Sequence, residues 1–481
     1  MKTTVKLYLF LLIMLAISCT KEIAEPDIKH DSEDSIATRS DIVNNDKCYD
    51  ISLEMALTFA RSFNNRPKIV SVEPYLFEGI VCLYIINYEQ GWMVIPADSR
   101  VQAVLGESES GDFYVNETDN KEVLFWLEVS AERVLKAKKG EVIDFSENGV
   151  LLWDQIRNQT QGNEARSLDP DPLAWVRVTT VTTNTDVYAN VPHLLQTKWG
   201  QWNPWNVSLP YDPMILEDFG LQVRFLTGCV PTAVAQVLYY FHNFTGYPND
   251  FYQEMTPYID SNLGNNQYKV GLIRDDNFYT TNSNRWNNMP LTEDDSGSFS
   301  YVSDLMMDVG VRMNVTYSTT GTAGTMLSYT DVAPCGITAN SYYYSYSTVR
   351  NNLNLGKPVL VSGTGSDGVG HAWVIDGCID NVYRTSVSSE YFVFRPGYIY
   401  PPNAEYLSES QVLSEYPNAY DGMIITTNTS VPTKYLLMNF GWNGDHDDGH
   451  YAIEPSGSEW QGYTNAVGTI YNISTGQLLI N

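Results

Sequence analysis

Thr227-Gly228-Cys229-Val230-Pro231-Thr232-Ala233-Val234-Ala235-Gln236 is the stretch on which the reading of this chain turns. Apolar residues at 230, 233, 234, 237, 238 and 241 fall at i, i+3, i+4, i+7, i+8 and i+11, the spacing of one buried helical stripe. Pro231 belongs in a first turn, where its missing N–H costs nothing. The spacing therefore predicts a helix over Cys229–Phe241 with Cys229 at its N-terminus. Unpaired amides and the helix dipole favour a thiolate there, the form of cysteine that attacks carbonyls. Gly228 leaves room for a peptide backbone to approach. Taken alone, the pattern suits a buried structural cysteine equally well.

Two further stretches bear on it. In Gly368-Val369-Gly370-His371-Ala372-Trp373-Val374-Ile375-Asp376-Gly377, glycines lead into a His that opens an apolar strand, and the strand is expected to turn at Asp376-Gly377. A His at a strand mouth faces a cleft, and its ordinary pKa suits proton exchange with a thiol. The same His would also serve as a satisfied core residue. In Leu437-Met438-Asn439-Phe440-Gly441-Trp442-Asn443-Gly444, the Asn439 amide is of a type that holds an imidazole in one tautomer, and Trp442 of a type that shields it from water. Cys, His and Asn together are the thiol variant of triad logic.

In this order the three pieces resemble the streptopain family of papain-like bacterial cysteine peptidases. Trp286-Asn287-Asn288-Met289-Pro290, Ser303–Gly310 and Thr320-Gly321-Thr322-Ala323-Gly324 are similar to it too, so the likeness spans roughly residues 195–480. Gly91–Arg100 (GWMVIPADSR) is similar to part of the family's pro-domain. The resemblance implies an α+β fold: a two-lobed papain-like catalytic domain, helical lobe against antiparallel β-sheet lobe, after a small α+β pro-domain. It implies Cys229 as nucleophile and His371 as general base, then acid. Gln201, in Trp199-Gly200-Gln201-Trp202-Asn203-Pro204-Trp205-Asn206, would donate its amide to the oxyanion. Asn439 and Trp442 would orient and shelter His371. Gly228, Gly370 and Trp205 would border the substrate. Pro231 and Val369 depart from the family pattern, and neither removes a reactive group. No cofactor is implied.

The N-terminus sets the compartment. Lys2 and Lys6 precede an unbroken apolar run, Leu7–Ile17, about half the ~20 residues of a membrane-spanning helix and typical of a signal-peptide core. Leu15-Ala16-Ile17-Ser18-Cys19 resembles a bacterial lipobox, with Cys19 acylated after cleavage. The chain is thus expected to be exported, as an outer-membrane lipoprotein facing the periplasm or the cell surface or as a secreted product, touching membrane only through its lipid. Its 57 acidic and 29 basic residues give a formal charge of −28, which repels phosphate backbones and argues against nucleic acid.

The expected order is a signal peptide at 1–18, a tether at 19–45, an inhibitory pro-domain at 46–157, an exposed linker and activation-cleavage region at 158–185, and the peptidase domain at 186–481. Within the pro-domain, helices are predicted at Ile51–Phe63 and Glu122–Ala137, and strands at Ile69–Val72, Ile80–Asn87 and Gly91–Ile95. A second catalytic-domain helix, Ser300–Asp308, is predicted to stop at Gly310. Six dispersed cysteines without a C-x-x-C pair argue against zinc or a disulfide framework, although Cys48 with Cys82, or Cys335 with Cys378, remain possible pairs. Asp445–His450 (DHDDGH) reads as a hairpin turn rather than a metal site. Partners are then protein or peptide substrates and the chain's own pro-domain. The rivals are a non-enzymatic binding protein of the same fold and an acyltransferase using the same thioester chemistry.

Overall fold

The computed structural model describes residues 49–118, 120–141, 147–160, 173–245, 255–274, 283–319, 321–324, 326, 328–364, 370–445, 449–452 and 465–475. The signal segment, the tether with Cys19, Cys48, residues 161–172 and His446 lie outside them, as does the Gly368-Val369 part of the His371 motif. Among the described residues no helix is long and apolar enough to cross a membrane.

Period-two alternation in β11 (Val359–Thr364) and β12 (Gly370–Val393) sends successive side chains into two different cores. Leu360, Ala372 and Val374 enter the core that surrounds the Cys229 helix. Val359, Val361, Trp373 and Ile375 enter the core built with the N-terminal segment. A sheet with both faces covered needs apolar residues at successive positions, which is why Ala372–Ile375 reads as an unbroken apolar run.

Among the described residues that sheet has twelve strands. Its main path runs β1 (Ile69–Phe77), β2 (Ile80–Tyr88), β3 (Trp92–Pro96), β4 (Gly106–Ser108), β15 (His450–Ala452), β14 (Met423–Asn439), β12, β11, β16 (Asn465–Thr475) and β10 (Ile337–Tyr343). On one edge β12 pairs first with β11 and then, from Cys378 on, with β5 (Leu173–Val191), which also carries β13 (Ala404–Ser408). All these ladders are antiparallel. A second sheet joins β6 (Met255–Gly264), β7 (Gln267–Arg274), β8 (Thr316–Tyr317) and β9 (Thr322–Ala323). With its helices the chain is α+β.

The helices that matter here are α1 (Leu53–Arg61), α2 (Lys121–Lys138), α3 (Glu147–Thr160), α4 (Cys229–Thr245) and α5 (Phe299–Arg312). Ser52 and Asn120 cap α1 and α2 through their side chains. In three places the structure departs from the sequence reading. Helix α5 runs past Gly310, because that glycine admits the Tyr317 ring, which a Cβ would overlap. Strand β12 does not turn at Asp376-Gly377; it bulges there and continues for sixteen residues. Residues 173–185, expected as linker, lie in β5, whose Thr and Val residues pair with the Ser/Thr-rich half of β12. The segment expected as pro-domain joins the same sheet as the catalytic part, through Glu107↔His450 and Gly106↔Tyr451.

Candidate active site

Helix α4 begins at Cys229, as its Pro231 demands. It is not amphipathic as expected: every residue from Val230 to Phe241 is buried, because α5 packs on one side and β12 on another. A helix buried all round is a core helix, and its start is therefore fixed by its surroundings. Gly228 has φ +91°, a conformation that favours glycine. The room it leaves is taken by Thr322 of β9, whose side chain a Cβ would overlap; this corrects the expectation of an open approach. Inside the first turn, the Thr232 hydroxyl donates to the Gly228 carbonyl at 2.8 Å.

Cys229 is half-buried, whereas the other described cysteines, Cys82, Cys335 and Cys378, are buried and free. Burial pushes all three of those thiols up, away from the thiolate. Cys335 and Cys378 lie in different cores, which separates that possible pair.

Gln201 is held beside this helix start. Its backbone carbonyl accepts from the Thr227 N–H at 2.9 Å and the Thr227 hydroxyl at 3.2 Å, two residues ahead of Cys229. Gly200 is required because Asn443 lies against it. Trp205, expected at the substrate, is wholly buried: its indole donates to Asn443 Oδ1 at 2.6 Å and its ring packs on Trp199 and Phe299. It holds a turn and offers no surface. The half-exposed member of the Trp199/Trp202/Trp205 series is Trp202, stacked edge-on against Trp442 at 4.9 Å. Sequence reasoning missed it; the three-residue spacing of the tryptophans was the available signal.

His371 is half-buried at the mouth of β12, opposite Gly363. The next residue, Ala372, lies in the core against which Cys229 packs. Gly370 is exposed, and a Cβ there would meet nothing nearer than the Gly363 carbonyl at 3.9 Å. Asn439 pairs with Val374, three residues along from His371. Its bonds run elsewhere than to the imidazole: Oδ1 accepts from Gln236 Nε2 at 2.8 Å and from the Gly441 N–H at 3.2 Å, and Nδ2 donates to the Thr197 carbonyl at 2.6 Å. With both lone pairs of Oδ1 used, this amide ties α4 to β14. Trp442 follows on a turn whose Gly441 leaves room for the Thr232 methyl, which a Cβ there would crowd. His193 bonds Asp376, and His242 stacks on Trp286.

The arrangement brings a half-exposed thiol at a helix N-terminus, an amide side chain, an indole and a strand-mouth imidazole onto elements that pack directly on one another. Such a set can carry acyl transfer: attack on a carbonyl, stabilisation of an oxyanion and proton return. Among the described residues no group of three or more His, Cys, Asp and Glu is placed to hold a metal ion.

The peptidase C10 family model matches residues 199–451, which include each of these elements. Streptopain of Streptococcus pyogenes serotype M28 is 27% identical over 317 residues, spanning 61% of this chain and 68% of its own length. Streptopain of serotype M1 is 26% identical over 323 residues with the same coverage. Among solved structures, a fragment of Prevotella intermedia prointerpain A aligns over 83% of this chain and 98% of its own, with TM-score 0.45 and 20% identity.

Proposed function

Since the chain belongs to the peptidase C10 family and is a cysteine-type endopeptidase, we propose that Cys229 is its nucleophile, His371 its base and Gln201 its oxyanion donor. The observation that carries this is the contrast among the described cysteines: one sits half-exposed on a helix N-terminus, and three are buried with raised thiol pKa values.

In this reading His371 takes the Cys229 proton, and the thiolate adds to the substrate carbonyl. The Gln201 side-chain amide and the Cys229 N–H meet the oxygen as its charge develops. The imidazolium then protonates the leaving amine, giving a thioester. Water, deprotonated by His371, attacks the thioester, and the thiolate returns. Trp442, packed on Trp202, keeps bulk water from the imidazole.

The chain is further proposed to be an exported, Cys19-lipidated zymogen whose N-terminal segment blocks the site. Two contacts support the block. Thr118 Oγ1 donates to Asp445 Oδ2 at 2.8 Å, and Asn120 Nδ2 donates to the Asp445 carbonyl at 2.7 Å. Both grip the turn three residues after Trp442.

Incubation with casein, with and without an amine acceptor, tests the catalytic part. Fragments that disappear in Cys229→Ala support the peptidase, amine-linked products would favour an acyltransferase, and no turnover a binding protein. Labelled palmitate retained by the chain and lost in Cys19→Ala tests the anchor.

A further inference from the structure

Three buried residues form a hydrogen-bonded ring that closes through the Thr197 main-chain carbonyl. The Thr197 hydroxyl donates to Gln236 Oε1 at 2.7 Å, Gln236 Nε2 donates to Asn439 Oδ1 at 2.8 Å, and Asn439 Nδ2 returns to the Thr197 carbonyl at 2.6 Å. Relative exposures are 2%, 0% and 4% in that order, so solvent does not compete for these groups. Each member belongs to a different segment of the site. Thr197 stands four residues before Gln201, Asn439 three before Trp442, and Gln236 seven after Cys229.

The seven-residue offset matters. Two helical turns bring a residue back to the same face, about 10 Å along the axis. Gln236 thus clamps the face of α4 from which Cys229 projects. The segment before Thr197 is fixed as well, on the strand that carries His371: buried Asp376 accepts from His193 Nδ1 at 2.9 Å and the Leu195 N–H at 3.0 Å, and its carbonyl accepts from the Leu194 N–H at 2.9 Å.

Apolar packing holds helices against sheets but tolerates small rotations and slides; hydrogen bonds at fixed angles do not. A buried polar network that is fully satisfied adds little net stability over an apolar replacement, so its use here is geometric. We infer that the Thr197–Gln236–Asn439 ring is the positioning device of this site, setting the Cys229 face of α4 against the segments that carry Gln201 and His371. This rests on the catalytic assignment above and deepens it. The three are positioning residues and do not touch substrate.

The test compares Thr197→Val, Thr197→Ser and Gln236→Met in the matured enzyme produced from the full-length chain. It reads kcat and KM on a fluorogenic peptide, melting temperature, and the pH profile of Cys229 alkylation by iodoacetamide. Thr197→Val keeps volume and removes the hydroxyl; Thr197→Ser keeps the hydroxyl. The expected result is a fall in kcat of about 10- to 100-fold for Thr197→Val and Gln236→Met, the scale of a misplaced reacting group. KM should stay within about twofold, alkylation near neutral pH should slow in step, and Thr197→Ser should match the parent. The ring is overturned if Thr197→Val retains the parental kcat and alkylation profile, or if Thr197→Ser loses as much as Thr197→Val, since then volume alone matters. A parent without Cys229-dependent hydrolysis would overturn the catalytic assignment instead, and the alkylation profile would still judge the ring.

Discussion

Glu107, in the N-terminal segment, accepts a 2.8 Å hydrogen bond from the hydroxyl of Tyr383 on β12, the strand that opens with His371. Its other oxygen accepts from Arg66 at 2.6 Å, and the two side chains are only 6% and 7% exposed. The Tyr435 hydroxyl lies 2.6 Å from that of Tyr383. Burial holds both phenols well above their ordinary pKa, so they remain neutral partners. The N-terminal segment is therefore docked through a buried carboxylate, ion-paired with Arg66 of its own segment, that accepts from the catalytic sheet within the β4–β15 ladder.

Removing one partner of a buried pair leaves the other charge uncompensated, at about 3–5 kcal/mol. Glu107→Gln, made in the Cys229→Ala background, should lower unfolding free energy by about that amount in urea titration. With Cys229 intact, the same substitution should hasten appearance of the mature species on a gel. An unchanged midpoint and an unchanged time course would show that docking does not depend on this pair.

Acid should loosen the same junction through His450. Burial lowers its imidazole pKa from the ordinary 6.5; Glu107 and Glu109 partly oppose this, while His193 and Arg66 add to it. The folded state thus favours the neutral ring. Its contribution is fully present above about 6.5, the unfolded value, and is lost as pH falls from there through the lowered folded value. Melting temperature should drop more steeply below that pH for the parent than for His450→Phe. Parallel curves would dismiss the effect.

Gln201→Ala should reduce kcat by about 10²–10³, the cost of one oxyanion donor. The bonds that hold Gln201 in place run through its backbone carbonyl to Thr227, so they survive the substitution. Steady-state kinetics with unchanged melting temperature is the check; a loss confined to KM would count against the oxyanion role.

Strand β5 pairs with β12 from Trp175 to Val191, and Trp175 is buried with Tyr391, Val412 and Met423. Cutting inside it would strip an edge from β12. The mature N-terminus should therefore lie ahead of Trp175, which Edman or mass-spectrometric sequencing reads directly; an N-terminus between 176 and 191 would contradict this.

Helix α4 was legible because Pro231 and the apolar spacing signal a start and a helix locally. The strand-mouth position of His371 was legible from its flanking glycines and the apolar run after it. The bulge at Asp376-Gly377 was not, because the pair that marks a turn in isolation is held in strand by Leu437 and Val191 packed around Gly377. Strand β5 was missed because its partners lie some two hundred residues later, and a polar ribbon carries no core signal. The bonds of Asn439 to Thr197 and Gln236 depend on tertiary placement that no spacing encodes. Trp205 and Trp202 are chemically alike, and only the fold decides which one is buried.

Catalysis here depends on the Cys229 thiol and the His371 imidazole acting together, and labelling of the matured chain by a peptidyl fluoromethyl ketone probes that pairing. One adduct is expected, on Cys229, absent in Cys229→Ala and slowed about 10²-fold or more in His371→Ala. An adduct on another residue, or a labelling rate indifferent to His371→Ala, would contradict it.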